Sequence, residues 1–322
     1  MNLSVALNSV LLSSLLIFVA GCCTAPKAPG RALHFDYVAS VSEVAAGAKK
    51  VDIWIPVPQD DESQKISQLE IKAPGKHRLT TEKVYGNRMV YVSLEAPFPE
   101  KAEVRVSFDV ERLEVSSVSS LPAVRAGARL LGGDRMAPIS EEVQKRAAQA
   151  AEGKEGIPAV ARGLYDRVLS DMAYDKSGKG WGRGDVAHAC TIGKGNCSDF
   201  HTLFIAMARS RKIPAFFEIG FPIPPDKSEG TIGGYHCWAW YSEGDSWRPV
   251  DISEADKAPG KTEYFFGNIC RNRFSLSSGR DLLLEPRQQG GPVNFFIYPY
   301  VEVDGKPSGA KVEKAFSFRN LD

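Results

Sequence analysis

The chain has 322 residues, 43% of them apolar and 10% aromatic, enough for two domains of about 150 residues each and for a sizeable buried core. Its 40 Lys and Arg stand against 39 Asp and Glu, a formal net charge of +1, so no global field recruits nucleic acid or an acidic partner, and the composition is not that of a disordered chain. Six cysteines in this length are too few for a disulfide scaffold, and each has to be read from its surroundings.

Residues 1–20 carry no charged side chain, and Val10 to Ala20 is an unbroken apolar-rich run followed at once by Gly21 and Cys22. The run is too short to span a bilayer comfortably and has the length of a signal-peptide core. Val19-Ala20-Gly21-Cys22 resembles the bacterial lipobox, which implies cleavage before Cys22 and diacylation of its sulfur. The expectation is a signal peptide over 1–21, a tether over 22–31, and an envelope protein held to a membrane by lipid on Cys22. An N-terminal anchor that is never cleaved is the alternative, and it gives the same compartment.

From 32 to 115 apolar residues alternate with period two: Leu33, Phe35, Tyr37; then Val51, Ile53, Ile55, Val57; later Val104, Val106, Phe108, Val110. Alternation between turn signals such as Pro74-Gly75 and Gly86-Asn87 predicts half-buried antiparallel strands, hence a small β-sandwich. Its polar faces hold no His, Cys or carboxylate cluster with catalytic spacing, so a packing or positioning role is expected. Residues 116–137, rich in Ser, Gly, Ala and Arg, read as a linker.

The period then changes. Ser140 before EEVQKRAAQAA has an N-cap and an acidic first turn, and Pro158 precedes Val160, Leu164 and Val168 at helical spacing. A second, α+β domain is expected over 138–290. It contains a glycine-rich loop (Ser177 to Gly184), a helix opening at Cys197, and three strands: AFFEIGFPI, GYHCWAWY and SWRPVDIS. The tail, 291–322, reads as a C-terminal β-hairpin extension about Asp304-Gly305.

Cysteine chemistry needs a thiolate, a base and a group that orients the base. Gly195-Asn196-Cys197 puts a thiol at a helix start, where free N–H groups and the macrodipole favour negative sulfur. His236 in GYHCWAWY is the candidate base and Asp251 in PVDIS the candidate orienter. A connection centred on Gly244 and Asp245 pairs Trp238 with Asp251, which leaves His236 and Asp251 as diagonal neighbours about 7 Å apart at their β-carbons.

At these residues the chain resembles the transglutaminase-like superfamily, whose papain-like core uses Cys, His and Asp in that order. The resemblance rests on GKGNCSDFHTLFIAMARSRKIPA, GYHCWAW, WRPVDIS and Tyr174-Asp175, and covers about residues 138–290. It implies a papain-like core with an antiparallel sheet, Cys197 as nucleophile, His236 as base and Asp251 as its orienter. Lys212 and Phe216 depart from the family's usual Gly before Ile-Pro and the Arg that often follows. Trp181 in the glycine-rich loop and Tyr174 are candidates for oxyanion or substrate contacts.

The rival use of the same atoms, a zinc site from His188, Cys190, Cys197, His201, His236 and Cys237, lacks a CxxC pair and an HExxH motif. No metal and no cofactor is expected. His201, one turn after Cys197, is expected as a polar helix residue rather than part of the site. Cys190 and Cys237 stand as buried thiols or a disulfide, with Cys270 as another partner. The expected function is cysteine-nucleophile acyl transfer on amide bonds of a peptide or protein. A cysteine peptidase or amidase acting on peptides or cell-wall stems, and a non-catalytic binding module with the same fold, are the alternatives.

Overall fold

A computed structural model describes residues 30–119, 129–307 and 309–321. The signal-peptide reading and Cys22 lie outside the described residues. Six strands come first: β1 (Gly30–Ser42), β2 (Lys50–Val57), β3 (Gln64–Lys72), β4 (Lys76–Thr81), β5 (Arg88–Glu95) and β6 (Lys101–Leu113). Next come α1 (Glu141–Ala151), α2 (Gly156–Asp171), β7 (Ala173–Tyr174), α3 (Val186–Ile192), β8 (Lys194–Gly195) and α4 (Cys197–Ser210). The remainder is β9 (Ala215–Pro222), β10 (Glu229–Thr231), β11 (His236–Glu243), β12 (Ser246–Val250), α5 (Ile252–Lys257), α6 (Thr262–Phe265), β13 (Arg273–Ser278), β14 (Tyr300–Val303) and β15 (Lys311–Asn320).

The fold is α+β. Two antiparallel sheets, ordered β10-β15-β1-β6-β3 and β14-β2-β5-β4, face each other through the alternating residues of β1, β2, β5 and β6, as period-two patterning with one buried face requires. A third antiparallel sheet, β12-β11-β9-β13, carries α4 against it. Alternation on β11 divides the core. Cys237, Ala239 and Tyr241 share the core with the α4 side, whereas Trp238 and Trp240 join Trp54, Met89 and Phe216 in a second cluster.

The sandwich and the helical part share one hydrophobic core. Phe35 of β1 packs on Phe221 of β9 and Phe274 of β13 with ring centroids 5.1 and 4.9 Å apart, and Phe316 of β15 meets Phe221 at 4.5 Å. Such pairs contribute about 0.5–1.5 kcal/mol each beyond area burial, so the strand-rich half holds the third sheet in place. Arg31 adds polar ties, donating to the Pro224 carbonyl at 2.9 Å and to Asn272 at 3.0 Å.

Three boundaries differ from the sequence reading. Gly30 and Arg31, expected in the tether, already belong to β1, because they pair with Leu113 and Arg112 of β6. The described ends of the stretch expected as a linker are packed: Val118 exchanges backbone hydrogen bonds with Trp247, and Asp134 pairs with the buried Arg209 at 3.0 Å. The tail strands do not form a hairpin with each other. β14 pairs with β2 in one sheet and β15 with β1 in the other, since each buries its apolar face better against a waiting sheet edge than in a lone two-stranded ribbon.

Candidate functional site

The first turn of α4 is built by local chemistry. Asn196 caps the helix: its side chain accepts from the Ser198 N–H at 2.8 Å, and its carbonyl accepts from the Asp199 and Phe200 amides. Of the leading amides this leaves the N–H of Cys197 itself. The buried Asp199 carboxylate accepts from the N–H groups of Asn196 (3.0 Å), Gly182 (2.6 Å) and Gly184 (3.0 Å), so one side chain closes the cap and fastens the glycine-rich loop to the nucleophile helix. Gly184 has φ of +58°, and a β-carbon there would lie 2.5 Å from Thr202 Oγ1, so a side chain is excluded twice. Arg280 clamps the same loop by donating to the carbonyls of Gly184 and Arg183.

β11 carries His236, the candidate base. It pairs with β12 in the register expected from the Gly244-Asp245 turn, with Glu243 opposite Ser246 and Ala239 opposite Val250. The ladder stops there. Asp251, expected to continue the strand opposite Trp238, instead caps α5 and accepts from the Glu254 N–H at 3.2 Å. This turn still brings Asp251 Oδ2 to 2.7 Å from His236 Nε2. The His236 ring and the Cys197 thiol act on each other's ionisation.

The charges in this cluster reinforce one another. Burial works against an imidazolium at His236, yet the Asp251 carboxylate outweighs it and the pKa stands at about 9. Burial likewise disfavours thiolate at Cys197, but hydrogen bonds from Cys237 and His236, with the His236 charge, hold the thiol well below its ordinary range. Asp251 is fully buried and remains ionised, held far below the usual carboxylate range against burial by His236 and Arg273. The geometry therefore favours a thiolate and imidazolium pair at neutral pH.

Two further residues belong to the site and were not read from the sequence. Arg273 of β13, 6% exposed, donates through Nη1 to the same Asp251 Oδ2. His201, expected as a polar surface residue of the helix, is fully buried; its Nε2 accepts from the Ile252 N–H at 2.9 Å, and its Nδ1 lies 3.8 Å from Cys237 Sγ. Accepting at Nε2 fixes the proton on Nδ1, and burial lowers the pKa to about 4, so this ring is neutral. The signal for it was spacing: one helical turn after Cys197 points back at the same end of the helix.

Tyr174 lies on β7. It pairs with Gly195 across the short parallel β7 and β8, its ring carries Lys257 Nζ at 3.8 Å, and its phenol is held protonated by burial and by the charge of Cys197. Trp181 is half-buried in the residue before Gly182, whose carbonyl receives the Tyr235 hydroxyl at 3.4 Å. Cys190, Cys197, Cys237 and Cys270 are all free thiols, so the disulfide alternatives do not form. Beside the Asp251 end of the site opens a cavity of about 710 Å³, lined by Glu254, Arg273, Gly234, Pro224, Tyr264 and Lys261 among others.

Known proteins are similar to this chain in sequence or in fold. The family model of the transglutaminase-like superfamily matches residues 144–252. An uncharacterised protein of Haemophilus influenzae is 25% identical over 319 residues, covering 84% of this chain and 85% of that protein. Among solved structures, a cysteine protease candidate from Cytophaga hutchinsonii superposes with a TM-score of 0.61 at 14% identity, covering 92% of both chains. The periplasmic domain of TgpA from Pseudomonas aeruginosa gives a TM-score of 0.35 at 14% identity, covering 73% of this chain and 91% of that one. The helix start that bears Cys197, the strand that bears His236 and the turn that bears Asp251 all fall inside the matched segment, so this region of the chain is similar to the transglutaminase-like superfamily.

Proposed function

We propose that the protein is an envelope cysteine acyltransferase or amide hydrolase that works through a thioester on Cys197. The observation that carries this reading is the chain of contacts from the Cys197 thiol through His236 to the buried Asp251. In the first half, the Cys197 thiolate adds to an amide carbonyl and the oxyanion forms beside the Cys197 N–H, with Trp181 proposed as second donor. His236 gives its proton to the departing amine and the thioester remains. In the second half, neutral His236 takes a proton from an incoming amine or water, which attacks the thioester and frees the sulfur. Asp251, charge-balanced by Arg273, stays ionised throughout and holds the imidazole in place.

Peptide or protein amides are the proposed substrates, and the cavity beside Glu254 and Arg273 has room for several residues of a chain. Hydrolysis is the second reading, favoured by the likeness in fold to a cysteine protease candidate. The two share the thioester and part only at the acceptor. Incubation with a glutamine-containing peptide library, with and without added amine, and mass analysis of the products separates them. Amine incorporation supports transfer, deamidation or cleavage supports hydrolysis, and no product with wild type above a Cys197→Ala control overturns both.

Anchoring by lipid on Cys22 is part of the proposal and rests on the Val19-Ala20-Gly21-Cys22 motif. Cys22→Ala should move the full-length protein from the membrane to the soluble fraction; a variant that still sediments with membranes removes the lipid from the proposal.

A further inference from the structure

Two cysteine sulfurs meet at the start of α4, and acyl transfer uses only one of them. Cys197 opens the helix and Cys237 is the second residue of β11; they are brought together by the fold, with Cys197 2% exposed and Cys237 fully buried. The Cys237 sulfur lies 3.8 Å from Ser198 Oγ, on the residue next to Cys197, and 3.8 Å from His201 Nδ1, one helical turn further on. Both sulfurs are free thiols. His236 and Asp251 account for the proton chemistry of the site, and an alanine in this strand position would serve packing alone.

We propose that Cys197 and Cys237 form a reversible disulfide when a hydroperoxide enters the site, so that oxidation switches the nucleophile off without destroying it. In the first step the Cys197 thiolate attacks one peroxide oxygen and the O–O bond breaks. Cys197 becomes a sulfenic acid, oxidised by two electrons, and the hydroperoxide is reduced to an alcohol or water, taking the His236 proton. In the second step the Cys237 thiol loses its proton, the Cys237 sulfur attacks the Cys197 sulfur, and hydroxide leaves with that proton as water. One hydroperoxide and two thiols thus give one disulfide, one alcohol and one water.

The order of events is favoured by the charges present. While Cys197 is a thiolate, burial and its negative charge keep Cys237 protonated, so the two sulfurs do not compete as nucleophiles. Sulfenic acid formation removes that charge when the second thiol has to ionise. The sulfurs then close to the disulfide bond length of about 2.05 Å. Without Cys237, a buried sulfenic acid has no neighbouring thiol and proceeds to the irreversible sulfinic state.

The test uses the full chain, reduced and then treated with hydrogen peroxide, its remaining thiols alkylated, and trypsin digestion under non-reducing conditions. The expected product joins the peptide ending at Arg209, which holds Cys197, to the peptide ending at Lys257, which holds Cys237, since Pro249 blocks cleavage after Arg248. Its mass is the sum less two hydrogens, and dithiothreitol should release both peptides and restore alkylation of Cys197 to the untreated level. Cys237→Ala under the same treatment should carry added oxygen on Cys197 that dithiothreitol does not remove. Wild-type Cys197 that goes to sulfinic acid beside a free Cys237, or that links to Cys190 or Cys270, overturns the proposal, and this map decides even if the variant fails to fold. The readout is thiol chemistry, so it stands or falls separately from acyl transfer.

Discussion

Arg273 and His236 donate to the same oxygen of Asp251. A buried carboxylate with a single cationic partner would be held by that partner's protonation state. Here the guanidinium never titrates near neutral pH, so Asp251 stays anionic through the half-reaction in which His236 is neutral.

Removing that guanidinium should therefore act on both stability and titration. Arg273→Met leaves Asp251 with one partner, and breaking a buried ion pair costs about 3–5 kcal/mol; a denaturant midpoint measured at pH 7 should fall accordingly. Arg273 also lowers the His236 pKa by its positive charge, so the alkaline limb of activity should move upward from about 9. An unchanged midpoint and an unmoved limb would show that the pair does neither.

A strand carboxylate that only orients an imidazole has no structural duty, and Asp251→Asn would then spare the fold. The structure assigns it two more: the Arg273 pair and the cap of α5. Turnover should drop by orders of magnitude, as when a triad loses its orienting carboxylate. The protein should also lose about 3 kcal/mol or more in unfolding measurements, since Arg273 is left buried and unpaired.

The parts of the site legible in the sequence were those that local rules fix. Gly195-Asn196-Cys197 announces a helix start, and the Gly244-Asp245 turn sets the β11 to β12 register as far as Val250, whereas Asp251 reaches His236 from the turn into α5 rather than as a strand neighbour. Arg273 was not legible because it comes from β13, which reaches the site by pairing with β9 rather than by any spacing from Asp251. His201 was misread because a polar residue in an amphipathic helix is ordinarily solvated, whereas every described residue of α4 up to Arg209 is buried between the sheet and the other helices. For the tail, alternation identified strands without naming their partners, and a turn signal alone suggested the wrong pairing.

The thiolate and imidazolium pair sets a pH window for reactivity. Alkylation of Cys197 should be fast well below the ordinary thiol range, because its pKa is lowered, and kcat/KM should fall above about 9 as His236 loses its proton. In His236→Ala the alkylation midpoint should move up, with Cys237, whose pKa is raised, as the slow internal control. Reactivity of Cys197 indifferent to His236 would remove the base from the pair.

The glycine-rich loop should be as sensitive as the triad, because Asp199 ties it to the cap of α4. Gly184→Ala places a β-carbon against Thr202 Oγ1 at a positive φ, a combination expected to cost about 1–3 kcal/mol. Proteolysis of the native protein within 177–184 should accelerate, and turnover should fall more than alkylation of Cys197 does, since the loop carries Trp181 but not the sulfur.

Acid should weaken the fold through His201. Its folded pKa of about 4 lies below the unfolded value of 6.5, so between these two pH values the unfolded chain binds a proton that the folded protein does not. Stability present above pH 6.5 is therefore lost as the pH falls toward 4, by up to about 3 kcal/mol for this one group. The depressed Asp251 works in the same direction at still lower pH. His236 has the opposite sign: its folded pKa of about 9 exceeds the unfolded 6.5, so the stability it adds is complete below pH 6.5 and lost as the pH rises toward 9. Urea midpoints should thus be highest near pH 6 to 7 and fall on both sides. His201→Gln, which keeps an acceptor for the Ile252 N–H without a titrating ring, should flatten the acid side between pH 6.5 and 4 while leaving the alkaline side as in wild type. An acid limb unchanged in that variant would assign the loss to other groups.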